Sequence, residues 1–157
     1  MIAVLQRVYE ASVKIEGKTV GEIAEGLLIY LGVAEGDTRE DAERLAAKIA
    51  ACRIFCDEQD KMNLSVRDIG GEALVISNFT LLADYHHGNR PSFFGSAAPA
   101  EAEALYKYFV SLLTPMLKKV ACGVFGADMK VGSVVNGPVN IVMDSRVLLK
   151  PRKERVQ

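Results

Sequence analysis

No stretch of this chain approaches the roughly 18 consecutive apolar residues that a membrane-spanning helix needs. The apolar run at the start, Met1–Leu5, is also too short for the core of a signal peptide. The three cysteines are too few, and odd in number, for a disulfide framework, and their low density is typical of a reducing compartment. These absences favour a cytoplasmic protein.

The sequence also lacks an excess of charge of either sign. Its 19 Lys and Arg residues nearly balance its 20 Asp and Glu residues, so no broad basic face for nucleic acid is indicated. If the partner is an RNA, the protein is therefore expected to hold its phosphates only modestly and to recognise one end of the RNA molecule. The C-terminus is the exception, and we interpret residues 146–157 as a basic tail that is either solvated or in contact with an RNA backbone. Its cations are Arg146, Lys150, Arg152, Lys153 and Arg155.

What is present is a composition typical of a soluble globular protein, with 50% hydrophobic and 25% charged residues over 157 positions. This length suits one domain, which we place over residues 1–145. The predicted order is three strands, a helix, two strands, a helix and three strands, so we expect a mixed α/β domain with two main helices covering sheet. The strands are predicted at 2–15, 19–23, 27–33, 53–55, 73–77, 120–124, 130–135 and 139–143, and the helices after Thr38 and from Pro99.

Residues 57–72 are predicted as a polar excursion, and residues 83–98 as a long loop. A loop of that length inside a compact domain is usually functional.

General catalytic motifs are missing. The chain has no Gly-x-Ser-x-Gly elbow, no phosphate-binding glycine loop and no His-Glu-x-x-His motif. A Ser/His/Asp triad could be assembled only from neighbours in sequence, namely Ser77, Asp84 and His86. A metal site could be imagined from Cys52 and Cys56 with His86-His87, but the spacing is not a zinc signature. We therefore interpret both cysteines as small buried hydrophobic residues.

Two segments nevertheless stand out. Ser77–Leu81 lies where a buried strand runs into the long loop, and Asn136–Asn140 lies between two apolar strands. Each also has a purely structural interpretation, with Thr80 as an ordinary strand residue and Gly137-Pro138 as a hairpin turn.

From Met1 to about Ser145, the chain resembles the D-aminoacyl-tRNA deacylase family. Ser77–Leu81 is similar to a signature usually written Ser-Gln-x-Thr-Leu, and the segment from Val135 to Asn140 to a second signature, Asn-x-Gly-Pro-Val-Thr. The other similar segments are Met1–Val8, Ala11–Val13, Gly32–Asp37, Arg53–Phe55, Lys61–Ser65, Arg90–Phe93 and Phe125–Met129.

The resemblance implies a three-layer deacylase-type fold and an esterase that removes D-amino acids, and also mischarged glycine, from tRNA. Its catalytic segment would be Ser77, Asn78, Phe79 and Thr80, with the main-chain amides of Phe79 and Thr80 stabilising the oxyanion. A nucleophilic Thr80 hydroxyl is the alternative, but it would need an adjacent base. No metal or organic cofactor is expected.

The resemblance also implies how chirality is checked. Gly137-Pro138 would adopt the cis form, with Arg7 helping to hold it, and would reach into the pocket of a partner subunit to reject L side chains. The protein would therefore be a homodimer with cross-subunit sites. Ala102, Phe125 and Met129 match pocket-lining positions, although plain core packing would explain them equally well.

This chain departs from the signatures at three positions, where Asn78 replaces Gln, Val135 replaces Asn, and Asn140 replaces Thr. His86-His87 also stand where the family usually carries more Lys or Arg. These departures keep two alternatives open: a paralogue that hydrolyses another mischarged aminoacyl-tRNA, and a catalytically silent dimer that binds RNA or nucleotide.

Overall fold

The longest alternating segment of the chain forms β1 (Ile2–Ile15), around which the main sheet is built. The structure, a computed structural model, describes residues 1–149. The remaining strands are β2 (Lys18–Ile23), β3 (Gly26–Gly32), β4 (Arg53–Cys56), β5 (Met62–Ser65), β6 (Glu72–Ser77), β7 (Lys119–Cys122) and β8 (Lys130–Asp144). The helices are α1 (Arg39–Ala50), α2 (Pro99–Leu113) and α3 (Ser145–Leu149), and a short 3₁₀ helix spans Phe79–Leu82.

The main sheet combines antiparallel and parallel pairs. β1 pairs antiparallel with β2, β3 and β8, whereas β3 pairs with β6, and β6 with β7, in parallel. The buried strands β3 and β6 are apolar along nearly their whole length, as expected for strands covered on both faces. The predicted mixed α/β domain with two long helices is confirmed.

Local chemistry explains where the two long helices begin. The backbone N–H and the hydroxyl of Thr38 both donate to the Asp41 carboxylate at 2.9 Å, which caps the start of α1. Pro99 occupies the first position of α2, where its missing N–H removes no hydrogen bond. Both helices pack against one face of the sheet, and Leu45, Ile49 and Phe109 are fully buried there.

Three predictions about the elements were wrong. The polar segment 57–72 contains β5, which pairs antiparallel with β4. The Arg53 side chain donates to the backbone and side-chain oxygens of Asn63 at 2.6 and 3.0 Å, so polar groups support this hairpin and its sequence lacks an apolar pattern. The two predicted strands at 130–135 and 139–143 are one strand, β8, because β1 is long enough to pair with both halves. Cys52 is half-buried and Cys56 is exposed, because the buried positions of β4 are Ile54 and Phe55 and the two cysteines lie on either side of them.

None of the helices within residues 1–149 is long and apolar enough to cross a membrane. Arg146 of the predicted basic tail lies in α3, and its Nη2 atom contacts the Asp144 carboxylate at 2.7 Å. The other four predicted cations, Lys150, Arg152, Lys153 and Arg155, lie outside the described residues.

Candidate functional site

A cavity of about 660 Å³ opens beyond the carboxyl ends of the parallel strands β3 and β6, where Leu31 and Ser77 are paired. Crevices at this edge of parallel sheets are common ligand sites. The cavity brings together six of the predicted site residues, contributed by the end of β6, α2 and the segment after β7. These are Ser77, Asn78, Phe79, Ala102, Phe125 and Met129.

The 3₁₀ helix after β6 presents two backbone amides with different surroundings. The Asn78 side-chain oxygen accepts from the backbone N–H of Thr80 at 3.2 Å and also from the Thr80 hydroxyl. Within residues 1–149, the Phe79 N–H has no hydrogen-bond acceptor, as is usual at the first position of a helix. Thr80 is therefore a helical residue whose hydroxyl is engaged, and its interpretation as a strand residue was wrong.

Aromatic side chains form much of the cavity wall. The Phe79 and Phe93 rings meet edge to face with their centroids 5.1 Å apart, and Tyr106 lies 6.0 Å from Phe125. Burial raises the pKa of Tyr106, so its hydroxyl stays protonated and donates to the Val75 carbonyl at 2.8 Å. The wall can therefore hold a flat, largely apolar group.

Among the cavity residues that sequence reasoning missed, four carry an aromatic ring or a hydroxyl group. Tyr106 lies four positions after Ala102 on α2, and that spacing is a usable signal because both positions share a helix face. The other three belong to the loop 83–98, whose length marked it as functional without indicating which of its side chains face a ligand. They are Phe93, Phe94 and Ser96.

Gly137-Pro138 lies in a bulge of β8. Gln6 pairs with Asn140 and Val8 with Val135, so the single residue Arg7 of β1 faces Asn136–Val139. The peptide bond between Gly137 and Pro138 is cis. The hairpin interpretation of this dipeptide was therefore wrong, because the strand continues on both sides.

Side chains of β1 hold this bulge from both sides. The Arg7 side chain is only 8% exposed. Its Nε donates to the Asn136 carbonyl at 3.0 Å and its Nη1 to the Ile54 carbonyl at 2.6 Å. On the other side, the Gln6 amide donates to Asn140 Oδ1 at 3.0 Å. Asn140, which replaces the threonine of the family signature, therefore has a hydrogen-bond partner in β1.

Within one chain, the bulge does not reach the cavity. Arg7 pairs with Leu27 of β3, whereas the cavity begins at Leu31. Four residues of strand separate the two points by about 13 Å. The structure thus gathers Ser77, Asn78, Phe79 and the predicted pocket residues in one place, whereas Thr80 follows in the chain without lining the cavity and Gly137-Pro138 lies elsewhere.

The structure does not support the two alternative sites considered from the sequence, a Ser/His/Asp triad and a metal site. His86 Nδ1 contacts the Asp84 carboxylate at 2.6 Å in the exposed loop, and hydrogen bonds from the His86 backbone and ring lower the pKa of Asp84. No hydrogen bond joins Ser77 to His86 in the part of the chain that is described. The Ser/His/Asp triad considered from the sequence is therefore not formed. Residues 1–149 also contain no group of three or more His, Cys, Asp or Glu side chains that could hold a metal ion.

Comparison with known proteins gives a consistent result. The sequence model of the family D-Tyr-tRNA(Tyr) deacylase matches residues 4–144. A D-aminoacyl-tRNA deacylase from Dehalococcoides mccartyi is 53% identical, covering 97% of this chain and 99% of that protein. One from Caldicellulosiruptor saccharolyticus is also 53% identical, covering 93% and 98%. The solved structure of the c-Myc DNA Unwinding Element Binding Protein has a TM-score of 0.87 at 35% identity, covering 92% of this chain and 98% of that one.

Proposed function

The chain belongs to the D-Tyr-tRNA(Tyr) deacylase family, and we propose that it hydrolyses the ester bond of D-aminoacyl-tRNA, releasing the free D-amino acid and tRNA. Near-complete coverage of relatives that share this name supports the proposal. The domain over residues 1–145 carries the activity, and residues 146–157 are a basic tail. The protein acts in the cytoplasm as a proofreading step of translation, and mischarged glycyl-tRNA is a second substrate.

The observation that carries the mechanism is the pair of amides at the start of the 3₁₀ helix. Ester hydrolysis passes through a tetrahedral intermediate whose negative oxygen is stabilised by backbone N–H donors. The Phe79 N–H has no acceptor in the described residues and lies in a segment that lines the cavity. The Thr80 N–H is bonded to Asn78, so the oxyanion takes the place of the Asn78 carboxamide when it forms.

The nucleophile is water. The Thr80 hydroxyl donates to the Asn78 amide oxygen, which is not a base, and a threonine nucleophile needs one. Water adds to the ester carbonyl carbon, and the carbonyl electron pair moves to the oxygen. The adjacent ribose hydroxyl of the substrate assists. When the intermediate collapses, the C=O bond re-forms and the other ribose oxygen leaves, and the adjacent hydroxyl relays to it the proton that the water gave up.

Chirality is checked by Gly137-Pro138 from a second copy of the chain. The distance between this bulge and the cavity of its own chain supports a contribution in trans. β8 offers the surface for such a partner, because within residues 1–149 it pairs only with β1 and leaves its other edge free. Val134 and Val142 on this strand are 50% and 71% exposed. Long exposed edges of this kind are usually covered in native proteins.

In such a dimer, the Gly137 and Pro138 carbonyls occupy the space that an L side chain would need, and a D side chain points elsewhere. The filter acts by exclusion, so glycine, which has no side chain, is not fully rejected. Arg7 holds the filter in place through the Asn136 carbonyl.

The proposed function predicts a specific pattern of ester loss. We expect the protein to hydrolyse D-tyrosyl-tRNA and glycyl-tRNA while leaving L-tyrosyl-tRNA intact, as measured by release of labelled amino acid. Retained tRNA binding without hydrolysis of any of the three would instead favour a silent RNA-binding protein. Hydrolysis of an L-aminoacyl-tRNA in preference to D-tyrosyl-tRNA would favour the paralogue.

Replacement of Thr80 by alanine tests the role of its hydroxyl. We expect Thr80→Ala to keep kcat within about tenfold of the unchanged protein, because the substitution retains the backbone N–H that contributes the stabilisation. Single-turnover hydrolysis of D-tyrosyl-tRNA measures the effect, and thermal unfolding checks the fold. A loss of about 1000-fold or more in a folded variant would assign nucleophilic attack to the hydroxyl instead.

A further inference from the structure

The outer wall of the cavity carries an aromatic ring that nothing in the chain covers. Phe94 lines the cavity, yet its side chain is 94% exposed. Its neighbour Phe93 packs against Phe79, whereas Phe94 has no ring contact within the described chain. A solvent-exposed phenylalanine at the rim of a ligand cavity is typical of a stacking surface, because every nucleic-acid base has a face that can pack on it.

A second observation on the same loop points to a ligand independently. The Ser96 Oγ atom is buried and lines the cavity, but it has no hydrogen-bond partner within residues 1–149. Buried hydroxyl groups without a partner are rare in native proteins, because the loss of hydration is not compensated. A polar group of a bound molecule would supply the missing partner.

The charge of the loop fits a nucleic acid rather than an apolar partner. Arg90, four positions before Phe94, is exposed and has no carboxylate partner among the residues that the structure describes. The only acidic residue within the loop 83–98, Asp84, is already bonded to His86. An exposed ring and an exposed cation on the same loop match the combination of base stacking and phosphate attraction that single-stranded nucleic acids require.

We infer that this wall binds two nucleotides of the tRNA acceptor end, an inference that rests on the proposed function. The buried Ser96 hydroxyl bonds to the terminal nucleoside, which carries the ester, and the exposed Phe94 ring stacks on the base that precedes it. The two assignments follow from how deep each residue lies in the cavity. The terminal nucleoside carries the ester and must enter the cavity, where the Ser96 hydroxyl is buried. The preceding nucleotide then remains at the rim, where Phe94 is exposed.

Two substrates and two variants test this arrangement. The full substrate is D-tyrosyl-tRNA, and the minimal one is the D-tyrosyl ester of adenosine, which has no preceding nucleotide. Phe94→Ala is expected to lower kcat/KM about tenfold or more on D-tyrosyl-tRNA, the size of one base stack, and to leave the minimal ester unaffected. Ser96→Ala is expected to lower kcat/KM about three- to tenfold on both substrates, the size of one hydrogen bond.

Further readouts separate recognition from structure. Ser96→Ala is expected to raise Tm while lowering activity, because it removes a buried unpaired hydroxyl; a residue needed only for folding would lower both. Phe94→Trp is expected to retain kcat/KM on D-tyrosyl-tRNA, and Phe94→Leu to lower it as much as Phe94→Ala does, because only the tryptophan keeps an aromatic face. Val20→Ala, at an exposed apolar position of β2, is the matched control.

Each remaining outcome overturns a part of the inference. Equal effects of Phe94→Ala on both substrates, or no effect on either, would show that Phe94 does not stack on the base that precedes the terminal nucleoside. Dissociation of Phe94→Ala in light scattering would assign the ring to a contact between two copies. Unchanged activity of Ser96→Ala would exclude the hydroxyl from substrate binding. Failure of the unchanged, folded protein to hydrolyse either substrate would instead contradict the proposed function.

Discussion

Replacement of Phe79 by proline is expected to lower kcat for D-tyrosyl-tRNA about 100- to 1000-fold relative to Phe79→Ala. Proline removes the backbone N–H, and one oxyanion donor contributes roughly that factor. Phe79→Ala is the matched control, because it removes the same aromatic ring and its contact with Phe93 but retains the N–H.

The backbone at this position is compatible with proline. Phe79 is the first residue of its 3₁₀ helix, where proline is favoured, and no hydrogen bond is lost because its N–H has no acceptor in the described residues. The preceding residue, Asn78, has φ −147° and ψ 91°, which is extended and lies outside the α region that a following proline disfavours. The two variants should therefore unfold at similar temperatures.

Single-turnover hydrolysis separates the chemical step from product release and is the appropriate measurement. Equal rates for the proline and alanine variants, at similar Tm, would show that the Phe79 amide does not take part. The oxyanion would then have to be stabilised elsewhere in the cavity.

Gly137→Ala is expected to lower the preference for D- over L-tyrosyl-tRNA about 100-fold, since displacements of about 1 Å can change rates by that factor. Gly137 has φ +129°, a conformation that residues with a side chain rarely adopt. An added Cβ would lie 2.9 Å from the backbone nitrogen of Val139 and 3.0 Å from Arg7 Nη2. The bulge must therefore move, and the proposed filter moves with it.

The change should appear mainly as a gain of L-tyrosyl-tRNA hydrolysis, because the catalytic segment lies elsewhere in the chain. Gly132→Ala in the same strand is the control: its added Cβ would meet only the Ser12 hydroxyl, at 3.8 Å. A variant at Gly137 that loses D-tyrosyl-tRNA hydrolysis but still rejects L-tyrosyl-tRNA would contradict a role in chirality.

A mixed dimer extends this test to the proposed cross-subunit site. Ala102→Phe fills the cavity of one subunit, and Gly137→Ala damages the filter of the other. If the filter acts in trans, the Gly137→Ala subunit keeps an open cavity and receives an intact filter, so differently tagged mixed dimers should hydrolyse D-tyrosyl-tRNA and reject L-tyrosyl-tRNA. Hydrolysis of both by the mixed dimer would indicate a filter that acts within its own chain.

Sequence patterns were sufficient where the governing interactions are local. The alternation in Ile2–Ile15 predicted β1, and Thr38 with the acidic first turn predicted the start of α1. Both depend on contacts between residues close in the chain. The chain-long resemblance added the family, which was confirmed, together with the segments expected to act.

Other features depend on partners that are distant in sequence. The continuity of β8 follows from its pairing with β1, which is more than 110 residues away in the chain, and no pattern within residues 130–144 distinguishes it from two strands joined by a turn. β5 was missed for a related reason, because its pairing with β4 is supported by polar contacts.

By itself, the sequence determined the family, the mixed α/β class and the two segments on which the chemistry is proposed to depend, because short-range periodicity and residue identity encode all three. Only the tertiary structure decided that Arg7 donates to the Asn136 carbonyl and that Gly137-Pro138 lies away from the cavity of its own chain. It alone distinguished the exposed Phe94 from the packed Phe93. Register, burial and hydrogen-bond partners are set by strand pairing and packing between distant residues, so they exist only once the chain has folded.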